Sequence, residues 1–154
     1  MRDPDPGVRC AHAEDPRDLA AVMALREQVF VAEQGVPPEL ERDGLDAAAL
    51  HLVARRDDEV VGCCRLLPDD GAVRLGRMAV AASARGEGVG TALLAYAEGV
   101  ARGGGARRLT LHAQVSARGF YARAGYRAEG GEFLEAGIAH VAMSRDVSKD
   151  ETSK

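Results

Sequence analysis

Between a strand-like segment, Leu75 to Ala82, and a helix-like one beginning near Val89 lies the run Arg85-Gly86-Glu87-Gly88-Val89-Gly90. A connection so poor in side chains exposes consecutive backbone N–H groups where the helix starts. Those unpaired donors and the helix dipole favour an anion, typically a phosphate. The surrounding chain must therefore form a strand–loop–helix unit with the loop left open.

The residues that the run lacks narrow the anion. A P-loop needs Lys followed by Ser or Thr after its second glycine, and no such pair occurs here, which argues against ATP or GTP hydrolysis. A dinucleotide fingerprint needs three glycines at set positions; aligning Gly86 and Gly88 to it puts Thr91 where the third belongs. Too little chain follows for a doubly wound nucleotide domain.

At 154 residues and 46% hydrophobic content the chain can bury one substantial core, and a single domain over 1–147 with a polar, disordered tail at 148–154 is expected. The formal charge of −4 gives no basic footprint for nucleic acid or an anionic membrane. Both lysines, Lys149 and Lys154, lie in the tail, so arginine supplies every cation of the folded part, with planar donor forks suited to carboxylates and phosphates. The three cysteines, Cys10, Cys63 and Cys64, have no metal-ligand spacing and read as buried thiols; no metal is expected. Their odd number, and the start Met1-Arg2-Asp3-Pro4 without an apolar signal core, lead to the expectation of a cytoplasmic location.

Along the chain, Val8 to His12 reads as a strand, and Asp15-Pro16 as the cap and first residue of a helix reaching about Ala32. Leu19, Val22, Met23, Val29 and Phe30 mark its buried face, and Arg26 falls on that face. Pro37-Pro38 and many charges make Gly35 to Asp46 a loop or short helical turn that can wall a site. Leu50 to Ala54 and Val60 to Leu67 flank Asp57-Asp58 as a hairpin, and the turn Asp69-Asp70-Gly71 introduces the strand that ends at the glycine loop. The helix after the loop stops at Gly103-Gly104-Gly105; a strand Leu109 to Gln114, a short helix Ala117 to Arg123, and strands at Tyr126 to Ala128 and Ile138 to Val147 follow.

The pattern Arg85-x-x-Gly88-x-Gly90, the strand Gly76-Arg77-Met78-Ala79-Val80 before it, and Phe120-Tyr121 in a short helix ending at Gly125-Tyr126 resemble the motifs of the GNAT N-acetyltransferase superfamily. The pieces Leu25 to Gln34, Leu50 to Val53 and Gly137 to Met143 are similar to its ElaA-like branch, and the similarity spans nearly the whole chain. This resemblance implies an α/β (α+β) fold: a mixed, mostly antiparallel sheet of about six to seven strands with helices on both faces. It also implies an acetyl-CoA-dependent transfer of an acetyl group to a primary amine of a small molecule or peptide. Acetyl-CoA would be the acyl donor, with no nucleic acid or membrane partner, and a homodimer is left open.

By the same resemblance, Arg85, Gly86, Glu87, Gly88, Val89 and Gly90 would hold the pyrophosphate. Met78, Ala79 and Val80 would pair with the pantetheine arm, Val80 N–H would meet the developing oxyanion, and Thr91 and Gln114 would complete the donor site. Tyr121 would stand beside the thioester sulfur, where a phenol can protonate the departing thiolate. Ser116 or a neighbour stands where the family often has Asn.

A lysine-like amine titrates at ~10.4, so its neutral form must be generated on the protein. Glu33, His112 and His140 are the candidate proton acceptors. Alternation along the strands puts His112 with Thr110 and Gln114, and His140 with Ile138 and Ala142. His51, Arg65, Arg77, Gln114 and His140 interrupt apolar runs, and unpartnered buried charge is costly, so they should meet carboxylates or a ligand. With Arg26, Glu33, Gln34 and Asp46 as partners they form either a structural ion network or a substrate-binding set, for which Arg26, Glu33, Gln34, His51 and Arg77 are the candidates.

Two other functions fit parts of the pattern. A non-catalytic acyl-CoA-binding sensor would keep the glycine loop and need neither Tyr121 nor a base. The Arg26 to Gln34 piece also resembles acyl-homoserine-lactone synthases, but the absence of Trp and the 4% aromatic content argue against their aromatic-rich pocket.

Overall fold

Asp15, with extended backbone, accepts a hydrogen bond from Asp18 N–H at 2.8 Å and opens helix α1, Pro16–Arg26. In the computed structural model, which describes residues 7–148, α1 does not simply run on to Ala32. It passes into a wider, π-helical stretch, Glu27–Glu33, in which Gln34 N–H bonds to the Val29 carbonyl five residues back at 3.2 Å. Such widened turns displace the residues that follow them and are often found at functional sites. A single turn of helix, α2 (Pro38–Glu41), lies within the charged loop.

The strands are β1 (Val8–His12), β2 (Leu50–Arg56), β3 (Glu59–Asp69), β4 (Ala72–Val80), β5 (Arg108–Gln114), β6 (Arg127–Ala128), β7 (Phe133–Glu135) and β8 (Ile138–Asp146). Helix α3 (Val89–Gly103) joins β4 to β5, and α4 (Arg118–Arg123) follows β5. These strands form one sheet in the order β1-β2-β3-β4-β5-β8-β6, with β7 also pairing with β8; among the described residues, only β4 with β5 is parallel. The architecture is the expected mixed, mostly antiparallel sheet, with one more strand than the pattern allowed. Three residues of β7 between Gly131 and the turn Ala136-Gly137 are too few to show a period. Beyond Ser148 the expected tail lies outside the described residues.

Helices cover both faces. Val22, Leu25 and Val29 pack on Val53, Cys63 and Ala79 on one side. Val89, Leu93, Leu94, Ala97 and Ala101 pack on Leu52, Cys64, Leu75, Leu109 and Leu111 on the other. Gly62 brings α3 close, since a Cβ there would stand 2.8 Å from Val89 Cγ1. No helix among the described residues is long and apolar enough to cross a membrane.

The sheet opens between β4 and β5. Their pairing is confined to Val73–Leu109, Arg74–Thr110 and Leu75–Leu111. Beyond it β4 carries a bulge: Gly76 faces Arg65 and Ala79 faces Cys63, so Arg77 and Met78 together stand opposite Cys64. Arg77 has φ 53°, an uncommon conformation for an arginine, and the extra residue reverses the alternation of side chains after it. Arg77 and Ala79 consequently face the α1 side, while Met78 and Val80 pack against the α3 core.

Candidate active site

The splay of β4 from β5 opens into a cleft of about 1160 Å³, larger than the ~300–1,000 Å³ usual for small-molecule sites. One end lies at the start of α3. Gly86 and Gly88 take φ of 78° and 85°, conformations that cost other residues energy, and Gly88 is the N-cap. Ala92 N–H bonds to the Gly88 carbonyl at 3.0 Å, so the N–H groups of Val89, Gly90 and Thr91 precede the helix's own ladder. Gly90 leaves room against Phe120, whose Cζ would stand 3.4 Å from a Cβ. Gly86, Gly88, Val89, Gly90 and Thr91 all line the cleft.

Arg85 braces this loop. Its Nε donates to the Val80 carbonyl at 3.0 Å, and its Nη2 lies 2.9 Å from the Glu33 carboxylate. The candidate base Glu33 is thus held in an ion pair. Arg85 N–H turns back to the Ala82 carbonyl at 3.4 Å. The Glu87 carboxylate pairs with Arg56 and does not line the cleft.

The middle of the cleft is the edge of β4. Ala81 N–H bonds to the Val61 carbonyl of β3 at 2.8 Å; since successive N–H groups along a strand point to opposite edges, the Val80 N–H points into the splay. Tyr121 also lines the cleft and is 6% exposed, with Phe120 edge-on at 5.0 Å and Tyr126 at 5.9 Å. Burial pushes its phenol well above the ordinary tyrosine value, so the ring keeps its proton. Deeper on the same side, Tyr126 donates to Glu98 at 2.8 Å and Arg145 lies 3.2 Å from that carboxylate.

The other end is the face of β5 and β8 turned away from the α3 core. Leu109, Leu111 and Ala113 point into the α3 core, and His112 and Gln114 point away from it, as alternation requires. His140 stands opposite Gln114 in the ladder and is 7% exposed. Gln114 Nε2 donates to Gln34 Oε1 at 2.8 Å, across the cleft. His112 Nδ1 lies 2.9 Å from Oε1 of Glu135, a residue that no sequence signal singles out.

The interrupting arginines and the charged loop meet in one network. Arg26 bonds to Glu41 at 2.7 Å and to Asp46 at 2.7 Å. Arg65 bonds to Asp43 and, at 3.0 Å, to Asp46. Arg77 bonds to Glu41 at 2.9 Å and Asp43 at 3.2 Å. Asp46 was an expected partner; Glu41 and Asp43 were hidden among the many charges of 35–46. Hydrogen bonds from Arg65 hold the Asp43 carboxyl well below the usual range.

Two candidate substrate residues need correction. Arg26 is 0% exposed, with its guanidinium committed to Glu41 and Asp46, so it is part of the frame and cannot touch a substrate. His51 bonds through Nε2 to the Asp46 carbonyl at 2.9 Å and faces a separate hollow beside His12 and Leu19. Arg77, Glu33 and Gln34 do line the cleft. Arg26, buried in its ion pairs with Glu41 and Asp46, is not among the residues that line the cleft.

Comparison with known proteins agrees with this geometry. A sequence model of the acetyltransferase (GNAT) domain matches residues 12–147. The uncharacterized N-acetyltransferase YjcF of Bacillus subtilis (strain 168) is 39% identical over 140 residues, 90% of this chain and 100% of its own length. Among solved structures, an acyl-CoA N-acyltransferase from Pseudomonas aeruginosa matches with a TM-score of 0.79 at 34% identity, covering 90% of this chain and 97% of that one. Escherichia coli ElaA matches with a TM-score of 0.79 at 28% identity, covering 90% and 98%.

Proposed function

Since the chain belongs to the GNAT acetyltransferase family, we propose that it transfers an acetyl group from acetyl-CoA to a primary amine by direct attack within a ternary complex. The observation that carries the proposal is that the left-handed glycine loop at the start of α3, the edge of β4 bearing the Val80 N–H, and Tyr121 all open into one cleft. A long donor with an anionic end and a reactive end would span these groups.

In this reading the N–H groups from Gly86 to Thr91 receive the pyrophosphate, aided by the helix dipole. Met78 to Val80 pair with the pantetheine amides as a strand would, in the place where β5 has turned away. The Val80 N–H donates to the carbonyl oxygen as it gains charge, and holding both reactants in line supplies the rest. The amine attacks the carbonyl carbon, the C–S bond breaks, and the Tyr121 phenol gives the thiolate a proton.

The test is a calorimetric titration with CoA and a thiol-release assay with an amine panel. The wild-type chain is expected to bind CoA and to release thiol with at least one amine, and Gly88→Asp to lose the binding while still folded. Unchanged CoA affinity in a folded Gly88→Asp chain would remove the basis of the proposal. Binding without turnover, unaffected by Tyr121→Phe, would favour a CoA sensor.

A further inference from the structure

The turn Ala136-Gly137 has φ of 53° and 78°, left-handed at both positions, the combination that folds a two-residue hairpin tightly. It returns β7 directly onto β8, pairing Glu135 with Ile138, and brings the Glu135 side chain to the open end of the cleft. There the carboxylate lies between two imidazoles.

Each ring's proton is located by its partner. His112 Nδ1 is 2.9 Å from Glu135 Oε1, and a carboxylate only accepts, so that nitrogen bears hydrogen. His140 Nδ1 is 2.7 Å from the Ile138 carbonyl, which also only accepts, so the neutral ring has its lone pair on Nε2. His140 Nε2 lies 3.8 Å from Glu135 Oε2. Two acceptors at this separation cannot bond to each other, but one donor placed between them reaches both within hydrogen-bond distance. Phe133 packs against both rings, stacked on His140 at 6.1 Å and edge-on to His112 at 5.0 Å.

We propose that Glu135 and His140 together form the docking point for the acceptor's amino group, an extension that rests on the acetyl-transfer reading above. The ammonium donates one N–H to Glu135 Oε2 and one to His140 Nε2. Glu135 holds the positive charge, and Nε2 removes one proton to leave a neutral amine. That amine attacks the thioester, the C–S bond breaks and Tyr121 protonates the thiolate; the second proton of the amine restores the phenol, and the proton on His140 is returned to solvent. The substrate class follows from the carboxylate: an organic amine that arrives as a cation and has no carboxylate on the carbon bearing nitrogen, because such a group would face Glu135.

The experiment uses n-pentylamine and 2-aminohexanoate, which differ by that carboxylate, on the full chain saturated with CoA. Imidazole ¹⁵N spectra are expected to show His140 Nε2 unprotonated in the amine-free protein and perturbed by pentylammonium, with little response to 2-aminohexanoate. Glu135→Gln, close to isosteric, is expected to weaken pentylammonium binding by about tenfold or more, the loss of one charge-assisted hydrogen bond, with CoA affinity unchanged. His140→Gln is expected to leave pentylammonium binding nearly intact and to lower kcat by about 10²-fold. A His140 Nε2 already protonated by ion pairing with Glu135, no response to pentylammonium, or equal pentylammonium affinity in Glu135→Gln overturns the docking point. Pentylammonium binding as expected with no thiol release from any amine instead overturns the acetyl-transfer reading.

Discussion

Gln114 donates from Nε2 to Oε1 of Gln34 at 2.8 Å, joining the end of β5 to the end of the π-helical stretch 80 positions earlier. Both side chains stand over the cleft, so the bond ties one wall to the other where an acceptor would enter.

Because this bond is exposed, Gln34→Ala is expected to cost about 1 kcal/mol or less in stability, a fall of ~2–4 °C in Tm at most. The larger effect should be on KM for the acceptor amine, with KM for acetyl-CoA little changed. Steady-state kinetics with each substrate varied in turn decides it, and an equal rise in both constants would assign the bond to the frame alone.

Tyr121→Phe keeps the ring among Phe120 and Tyr126 and removes only the hydroxyl. We expect kcat to fall by about 10²-fold, the usual worth of a positioned acid, with CoA affinity within about twofold. Wild-type turnover in this variant would rule out the thiolate-protonation role.

Arg26 is fully buried against Glu41 and Asp46, so replacing it takes one guanidinium from each and leaves Arg77 and Arg65 as their remaining partners. Arg26→Met should destabilise the fold by about 3–5 kcal/mol in urea unfolding.

The same network sets the acid limit of the fold. Arg65 lowers the Asp43 carboxyl; at Asp46 burial acts upward, but hydrogen bonds from Arg26 and Arg65 outweigh it and the net shift is downward. Folded values below the unfolded ~3.9 mean that both groups stabilise fully above that pH and lose the contribution as pH falls through their folded values. Unfolding free energy should therefore be level near neutrality and drop below about pH 4, and Asp43→Asn should flatten the drop. An identical acid limb in that variant would exclude Asp43 as its source.

Burial pushes the Cys63 thiol up to about 12 and Cys64 well above its ordinary value. Iodoacetamide near pH 8 should leave both unmodified in the folded chain, and react first at half-buried Cys10. Peptide mass spectrometry before and after denaturant measures this directly.

Periodicity and turn chemistry made most of the fold legible. The Asp15-Pro16 cap, the Asp57-Asp58 and Asp70-Gly71 turns and the triple glycine after α3 each have a local physical cause. The glycine loop was legible for the same reason, since Gly86 and Gly88 need backbone freedom. Three features were not. The bulge at Arg77 arises from tertiary pairing, and an arginine with positive φ gives no local sign. Glu41 and Asp43 are chosen from a crowd of acids by where the loop happens to cross β3 and β4. Glu135 depends on a strand of three residues whose tight turn uses Ala136, not the Asn or Asp that such turns usually advertise.

The three-position seam, in which Val73, Arg74 and Leu75 pair with Leu109, Thr110 and Leu111, also governs how firmly the two halves of the sheet hold together. β1 to β4 and β5 to β8 are each joined by antiparallel pairing, whereas the seam is parallel and pairs at three positions alone. So short a joint parts more easily than the longer pairing of β2 with β3, and its amides should exchange with solvent hydrogen before those in the middle of those two strands. The line along which the molecule opens to a substrate is then also the line along which its sheet is most loosely held.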